Sequence, residues 1–424
     1  MVPSPDRLVF TVFFRFNTPM SKWFYGGLPR SVYALFVARI INRLGDFVRF
    51  FLTLYLTRVL EMNEKATGLV VTLASAAVMA GTLGGGKLAD RFGRRRIMLI
   101  SQTLSAAVIG ICGFIPAHAA LPALLIVSQF FLGALRPASG ALVMDLTPPE
   151  KRQRAFSLLY LGINIGVALG PMIAGFLFEH YRRWIFFGDA ITTMAGVLLV
   201  WYFVPETSRE SAYRSDDHRE RSFDGSTLRA FLNRPVLAVF TGILVLTSTV
   251  YSQFHFGLPL LVNEVFRDNS ARFFGIISSV NAVTVILFTP LILKLFERRA
   301  PLRNMVTGCI AYAVGFGMLV LTVTGRWFFL LSTVLWTWGE ILFATNVNVF
   351  ISAHTPYNHR GRFTAVTHLA MSLGQTIAPA AAGFIIAGIG VRGIWLPIFF
   401  LSAASAAGMA FLHRVDLNRE GSSP

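Results

Sequence analysis

The chain has 424 residues, of which 54% are hydrophobic and only 14% charged, with a formal net charge of +17. A water-soluble domain carries about a quarter charged residues, so this composition belongs in a membrane and excludes an ordinary soluble enzyme. In a soluble chain the basic excess would suggest nucleic acid; here the cations sit in loops between apolar runs, and no nucleic-acid partner is expected.

Residues 1–31 form an N-terminal tail. Leu8 to Phe14 is short and lacks a small-residue cleavage site, so no signal peptide is expected. Residues 1–19 read equally as an interfacial helix or as an extension before a start at Met20. Apolar runs of spanning length then fall at roughly 32–57, 67–88, 97–116, 121–145, 156–178 and 184–204. The stretch 205–234 is too charged to insert and reads as a solvated linker. A second set of runs lies at roughly 235–262, 273–295, 303–323, 327–350, 363–388 and 393–413, and 414–424 is a short tail. The expected fold class is therefore an all-α membrane protein, with 12 transmembrane helices in two pseudo-symmetric six-helix bundles, 32–204 and 235–413. Lys and Arg cluster at 87–96, 151–154, 209–221, 298–303 and 360–362 and are sparse in the intervening loops, which places both termini in the cytoplasm. Cys112 and Cys309 lie inside apolar runs as small hydrophobes. Neither a metal nor a cofactor is expected, since there is no ligand spacing and no phosphate-cradling glycine loop.

An internal repeat supports the two halves. A shift of 208 places Thr147-Pro148 on Thr355-Pro356, Gly166 on Gly374, Pro171 on Pro379 and Gly175 on Gly383. A shift of 207 places Lys87-Leu88 on Lys294-Leu295 and Arg91 on Arg298. Two separate loops aligned at nearly one offset mark related copies.

The first copy of the loop is the more informative. Gly86, Asp90, Arg91, Gly93, Arg94 and Arg95 form a dense basic turn between two uncharged runs. Gly84 to Gly86 allow close helix approach, Gly93 allows a tight reversal, and Asp90 can pair with Arg91 or Arg94. The pattern Gly-x-Leu-Ala-Asp-Arg-x-Gly-Arg-Arg resembles the signature loop of the major facilitator superfamily. That resemblance implies a latch on the cytoplasmic side in the outward-open state, with Asp145 joining Arg152 or Arg154 in the intracellular gate. The fifth run repeats glycine at Gly162, Gly166, Gly170 and Gly175 with Pro171 among them. It resembles the Gly-x-x-x-Gly-Pro helix of proton antiporters in the superfamily, although plain small-residue packing gives the same pattern.

Charges within a span are expensive and face a bundle interior or an aqueous cavity. In the first run Arg39, Asn42, Arg43, Asp46 and Arg49 share one helical stripe. Arg39 is near enough to the end to snorkel. Asp46 is either a structural partner of Arg43 or Arg49 or a protonatable carboxylate in the translocation path. Glu340 lies mid-way along the tenth run, in a Gly-Glu pair of the kind seen in multidrug-resistance-type relatives. Arg136 lies two turns beyond Gln129, where drug antiporters carry their arginine, and this departure weakens a transfer of their coupling scheme. Tyr251 and Gln253 supply polar contacts from the seventh run, and Asn281 from the eighth.

The residues and the resemblance together lead to a monomeric secondary transporter of the cytoplasmic (inner) membrane. It is expected to export small amphiphilic molecules by alternating access, coupled to protons. Arg43, Arg49 and Arg136 against Asp46 and Glu340 favour an anionic or zwitterionic substrate, such as an organic anion or lysolipid, over a cationic drug. Facilitated uptake without an ion, or a receptor on the same fold, is the alternative.

Overall fold

The computed structural model describes residues 27–116, 120–207, 235–321, 325–354 and 360–420, and all regular structure among them is helical. Residues 1–19, most of the linker and Thr355-Pro356 lie outside the described residues. The first half holds α1 (Arg30–Leu44), α2 (Phe47–Arg58), α3 (Glu64–Phe92), α4 (Arg94–Phe114), α5 (Ala120–Leu146), α6 (Arg152–His180) and α7 (Arg183–Phe203). The second holds α8 (Pro235–Ser252), α9 (Gly257–Phe266), α10 (Ser270–Phe296), α11 (Pro301–Gly317), α12 (Arg326–His354), α13 (Arg360–Gly393) and α14 (Trp395–Glu420). Among the described residues, 10 segments are long and apolar enough to cross a membrane. One of them, Val236–Phe296, runs 61 residues and contains α8, α9 and α10.

The first run was expected to be one helix, and it is two. Gly45 leaves the helical region, and Asp46 stands at the N-cap of α2 in a non-helical conformation. The break lies close against α7, where a side chain on Gly45 would collide with Thr192. The seventh run is interrupted in the same way. Gln253, Phe254 and His255 make tight turn bonds to Val250, Tyr251 and Ser252 before α9 begins. Asp46 and Gln253 are 207 residues apart, so the two interruptions occupy equivalent places in the repeat. They also touch: the Thr53 hydroxyl donates to the carbonyl of His255 at 2.8 Å, satisfying a group that the broken helix leaves free.

Glycines set the closest helix pairs. Side chains added at Gly81 and Gly85 of α3 would strike the backbone of α5, and one at Gly133 of α5 would strike Val78 of α3. Between the halves the contacts are pseudo-two-fold. Gly275 of α10 lies against the Pro171 carbonyl of α6, and Gly68 of α3 against the Pro379 carbonyl of α13. Gly175 faces Ala271, and Gly383 faces Glu64. Each member of one set is related to its counterpart by 207 or 208 residues, so the repeat offsets reappear as symmetry.

Buried apolar side chains show where the halves join. At the end away from the Arg-rich turn, one cluster unites Phe51, Leu54 and Phe178 of the first half with Phe254, Phe274 and Trp336 of the second. At the end bearing the turn two large clusters each lie within one half, beside a smaller one around Ile292. Val32, Leu142 and Val200 belong to one, and Leu237, Phe240 and Phe350 to the other. The halves share a core at one end and keep separate cores at the other.

Candidate functional site

A cavity of about 560 Å³ lies between the halves, walled by α2, α3, α5, the α8–α9 turn and α13. Its polar lining includes Arg49, Ser75, Gln129, Arg136, Tyr251, His255, His368 and Gln375, and the rest is largely apolar. Among the described residues that line it there is no Asp or Glu. The two arginines differ in how far they are paired. Arg49 is 37% exposed and sits 3.7 Å from Asp46. Arg136 is exposed and makes no hydrogen bond or ion pair with the described residues. Two cations in a largely apolar chamber, with no acid among its described lining, give it a positive field.

Behind the cavity, each half carries its own polar network. In the first half Arg43 donates to Asp46, Asn42 donates to the Thr193 hydroxyl at 3.1 Å, and Arg39 donates to Ser139 at 2.7 Å. Asp189 of α7 accepts the Val48 N–H at 3.2 Å, so a side chain from another helix caps the start of α2. Asp46, Arg49, Gln102, Gln129 and Asp189 enclose a second pocket of about 20 Å³. In the second half Glu340 accepts from the Tyr251 hydroxyl at 2.8 Å on one oxygen and from Asn281 at 2.7 Å on the other. Thr337 takes a further bond from Asn281 at 3.0 Å. No cation pairs with Glu340 among the described residues.

The profile of the Major Facilitator Superfamily matches residues 35–270 and 267–424. The chain belongs to the major facilitator superfamily. It is 27% identical over 383 residues to the MFS-type transporter YttB of Bacillus subtilis (strain 168), covering 90% of this chain and 94% of that one. It is 26% identical over 359 residues to a Na(+), Li(+), K(+)/H(+) antiporter of Planococcus maritimus, covering 78% and 83%. Among solved structures, a point mutant of the nucleoside transporter NupG superimposes with a TM-score of 0.74 at 14% identity, covering 90% of this chain and 99% of that one. That last likeness is one of fold. The protein is a multi-pass integral membrane protein of a transporter family and not an enzyme.

The superfamily's signature loop makes its bonds within its own half. Gly93 turns the chain at φ 101°, and Asp90 lies 3.8 Å from Arg94. Arg94 donates to Asp145 and to the Ala141 carbonyl, and the Thr207 hydroxyl donates to Asp145 at 2.9 Å. Asp145 was expected to join Arg152 or Arg154, but Arg94 holds one of its oxygens and Thr207 the other. Arg152 instead opens α6. Arg95 donates to the Trp201 carbonyl, and the Glu206 carboxylate accepts the N–H groups of Arg95 and Arg96, both at 3.0 Å. Glu206 therefore caps the N-terminus of α4, where a negative side chain is most favourable. In the sequence it opens the charged stretch that reads as a linker.

The remaining candidates divide by position. Arg49, Gln129, Arg136 and Tyr251 line the cavity, whereas Asp46 and Glu340 stand behind it. Gln253 is buried at the α8–α9 turn and donates back to Thr249 at 3.4 Å, away from the lining. On α6, Gly166 and Gly170 admit the backbone of α1, and Pro171 and Gly175 meet α10, so the whole glycine face is occupied by helices. Asp189 was missed. Its signal was plain, a lone carboxylate inside the run 184–204, but nothing in the sequence pointed to its partners.

Proposed function

We propose that the protein is a proton-coupled secondary transporter that carries small amphiphilic anions through the central cavity by alternating access. The cavity carries the reading. Arg136 reaches it without an ion pair among the described residues, Arg49 reaches it while sharing Asp46 with Arg43, none of its described lining residues is a carboxylate, and its apolar wall suits a hydrocarbon or aromatic body. Proton coupling is supported by the relative named as a Na(+), Li(+), K(+)/H(+) antiporter and by two carboxylates without cation partners among the described residues, Glu340 and Asp189.

The topology that serves this function is twelve spans, six in each half. The broken pairs α1–α2 and α8–α9 each count as one crossing, and both termini face the cytoplasm of a bacterial inner membrane. With the Arg-rich turn on the cytoplasmic side, the shared core closes the outer end, and the two separate cores flank an opening to the inside. The structure then corresponds to the inward-open member of the cycle.

Thermal unfolding of the purified protein against paired amphiphiles tests the substrate class, because a ligand that binds only the folded state raises the midpoint. Decanoate or an alkyl sulfonate is expected to stabilise the protein, and Arg136→Ala to abolish the effect. Stabilisation by a lipophilic phosphonium cation, unchanged in Arg136→Ala, would overturn the reading.

A further inference from the structure

The small pocket beside the first-span break has four properties that the central cavity does not explain. Its volume of about 20 Å³ suits one water molecule. Asp189, 5% exposed, reaches it with no cation in ion-pair distance among the described residues. Its Oδ2 is held by the Val48 N–H, while Oδ1 meets only the Thr193 hydroxyl at 3.5 Å. Gln102, 6% exposed, lines the same pocket, and its Oε1 has no hydrogen-bond partner among the described residues. A buried acceptor without a donor is costly, and a water or a protonated carboxyl would relieve it. Finally, Arg49 and Gln129 line both this pocket and the central cavity, so the two spaces share a wall.

We propose that Asp189 is the proton-binding residue of the transporter, that a water in this pocket passes the proton to it, and that an anion held by Arg49 favours the protonated form. The proposal rests on the anion-carrying reading above. Hydronium gives its proton to Oδ1 of Asp189 and leaves water and a neutral carboxylic acid. Glu340 fits this role less well, since both of its oxygens are filled by Tyr251 and Asn281 and it does not line the water-sized pocket.

The charged groups facing Asp189 set the sign. Arg43 and Asp46 come from the α1–α2 break and Arg49 from α2; α4 and α5 contribute uncharged Gln102, Ser105 and Gln129, and no described charged side chain of α6 lines the pocket. In the empty protein, two carboxylates face two guanidinium groups. An anion that draws Arg49 into the cavity takes one cation from the side facing Asp46 and Asp189, and a proton offsets the lost positive charge. By reciprocity, protonation of Asp189 raises anion affinity by the same factor. Proton and anion then move together, the sign of a symporter and the opposite of the antiport expected from the α6 glycines.

Infrared difference spectroscopy of the full-length protein in lipid nanodiscs, stepped between alkaline and acid pH, tests the assignment without any substrate. Over the signal of the surface carboxylates, the wild type and Glu340→Gln are expected to share a protonated-carboxyl C=O band that is absent from Asp189→Asn. The asparagine keeps an oxygen for the Val48 N–H, and an unchanged thermal midpoint verifies its fold. That band surviving in Asp189→Asn overturns the assignment. The coupling is read with octanesulfonate, which cannot itself take up a proton. Its affinity is expected to rise as pH falls, approaching one proton bound per anion, and to be flat with pH in Asp189→Asn. A slope that persists in Asp189→Asn overturns the coupling. A wild type that binds no sulfonate at any pH overturns the anion reading and the coupling together, and the carboxyl band still decides Asp189.

Discussion

At the scale of residues, partner choice separates structural charges from working ones. Asp46 is locked by Arg43 and Arg94 is engaged by Asp145, whereas Arg136 has no such engagement among the described residues. Glu340 is an intermediate case, neutral in its contacts but doubly bonded. Removing one donor exposes the difference between a lost bond and a buried acceptor left unmet. Asn281→Ala is therefore expected to lower stability by about 1–2 kcal/mol, read as a drop in the thermal midpoint in detergent. Glu340→Gln in the same background should recover part of that loss, and strictly additive effects would show that the bond carries no energy.

The next scale is the helix, where the same residue type does opposite things at neighbouring positions. Gly81 and Gly133 are where α3 and α5 touch, while nothing lies within 4 Å of a side chain added at Gly84. Gly81→Val should force the helices apart and cost more than about 2 kcal/mol, lowering both the midpoint and the monodisperse fraction on size exclusion. Gly84→Ala should be neutral or stabilising by up to about 1 kcal/mol, because alanine is the better helix former. Equal losses at both sites would refute the packing assignment. A run of three glycines in a row cannot say which one is buried, since that depends on how the helix is rotated against its neighbour. The same limit applies to the broken helices. An apolar run of spanning length reads as one helix, while the chain breaks at Gly45–Asp46, where Thr192 leaves no room for a side chain, and at the turn that carries His255.

For the whole molecule, the pseudo-two-fold seam between α6 and α10 and between α3 and α13 is the part that must open for the proposed alternating access. Proline carbonyls facing glycines make it tight, with no room for a side chain at Gly68 or Gly275. Gly275→Val should pry this end apart and shift the population toward the state open on the opposite side. Cys112 and Cys309 are buried, so a single added cysteine, Ser75→Cys in the cavity wall, reports access cleanly. In the parent protein a membrane-impermeant maleimide should label it from the side of the Arg-rich turn. With Gly275→Val, labelling from the other side should rise several-fold, and an unchanged pattern would mean that the seam is not the gate.

Much of this was legible in the chain itself. Hydropathy and the scarcity of charge determine a membrane setting and a helical class, because a backbone in hydrocarbon has to satisfy its own hydrogen bonds. The basic turn at Gly86 to Arg95 determines the family. The offsets of 207 and 208 residues carry the symmetry that the seam displays. Tertiary structure alone decided which charges are paired, which carboxylates line a water-sized pocket, and that Asp145 takes Arg94 and Thr207 as partners. The physical reason is that hydropathy and spacing are local properties of one helix. A charge in a membrane, in contrast, is defined by what the neighbouring helices turn toward it, and Asp189 gains the Val48 N–H only where α7 meets the broken end of α2.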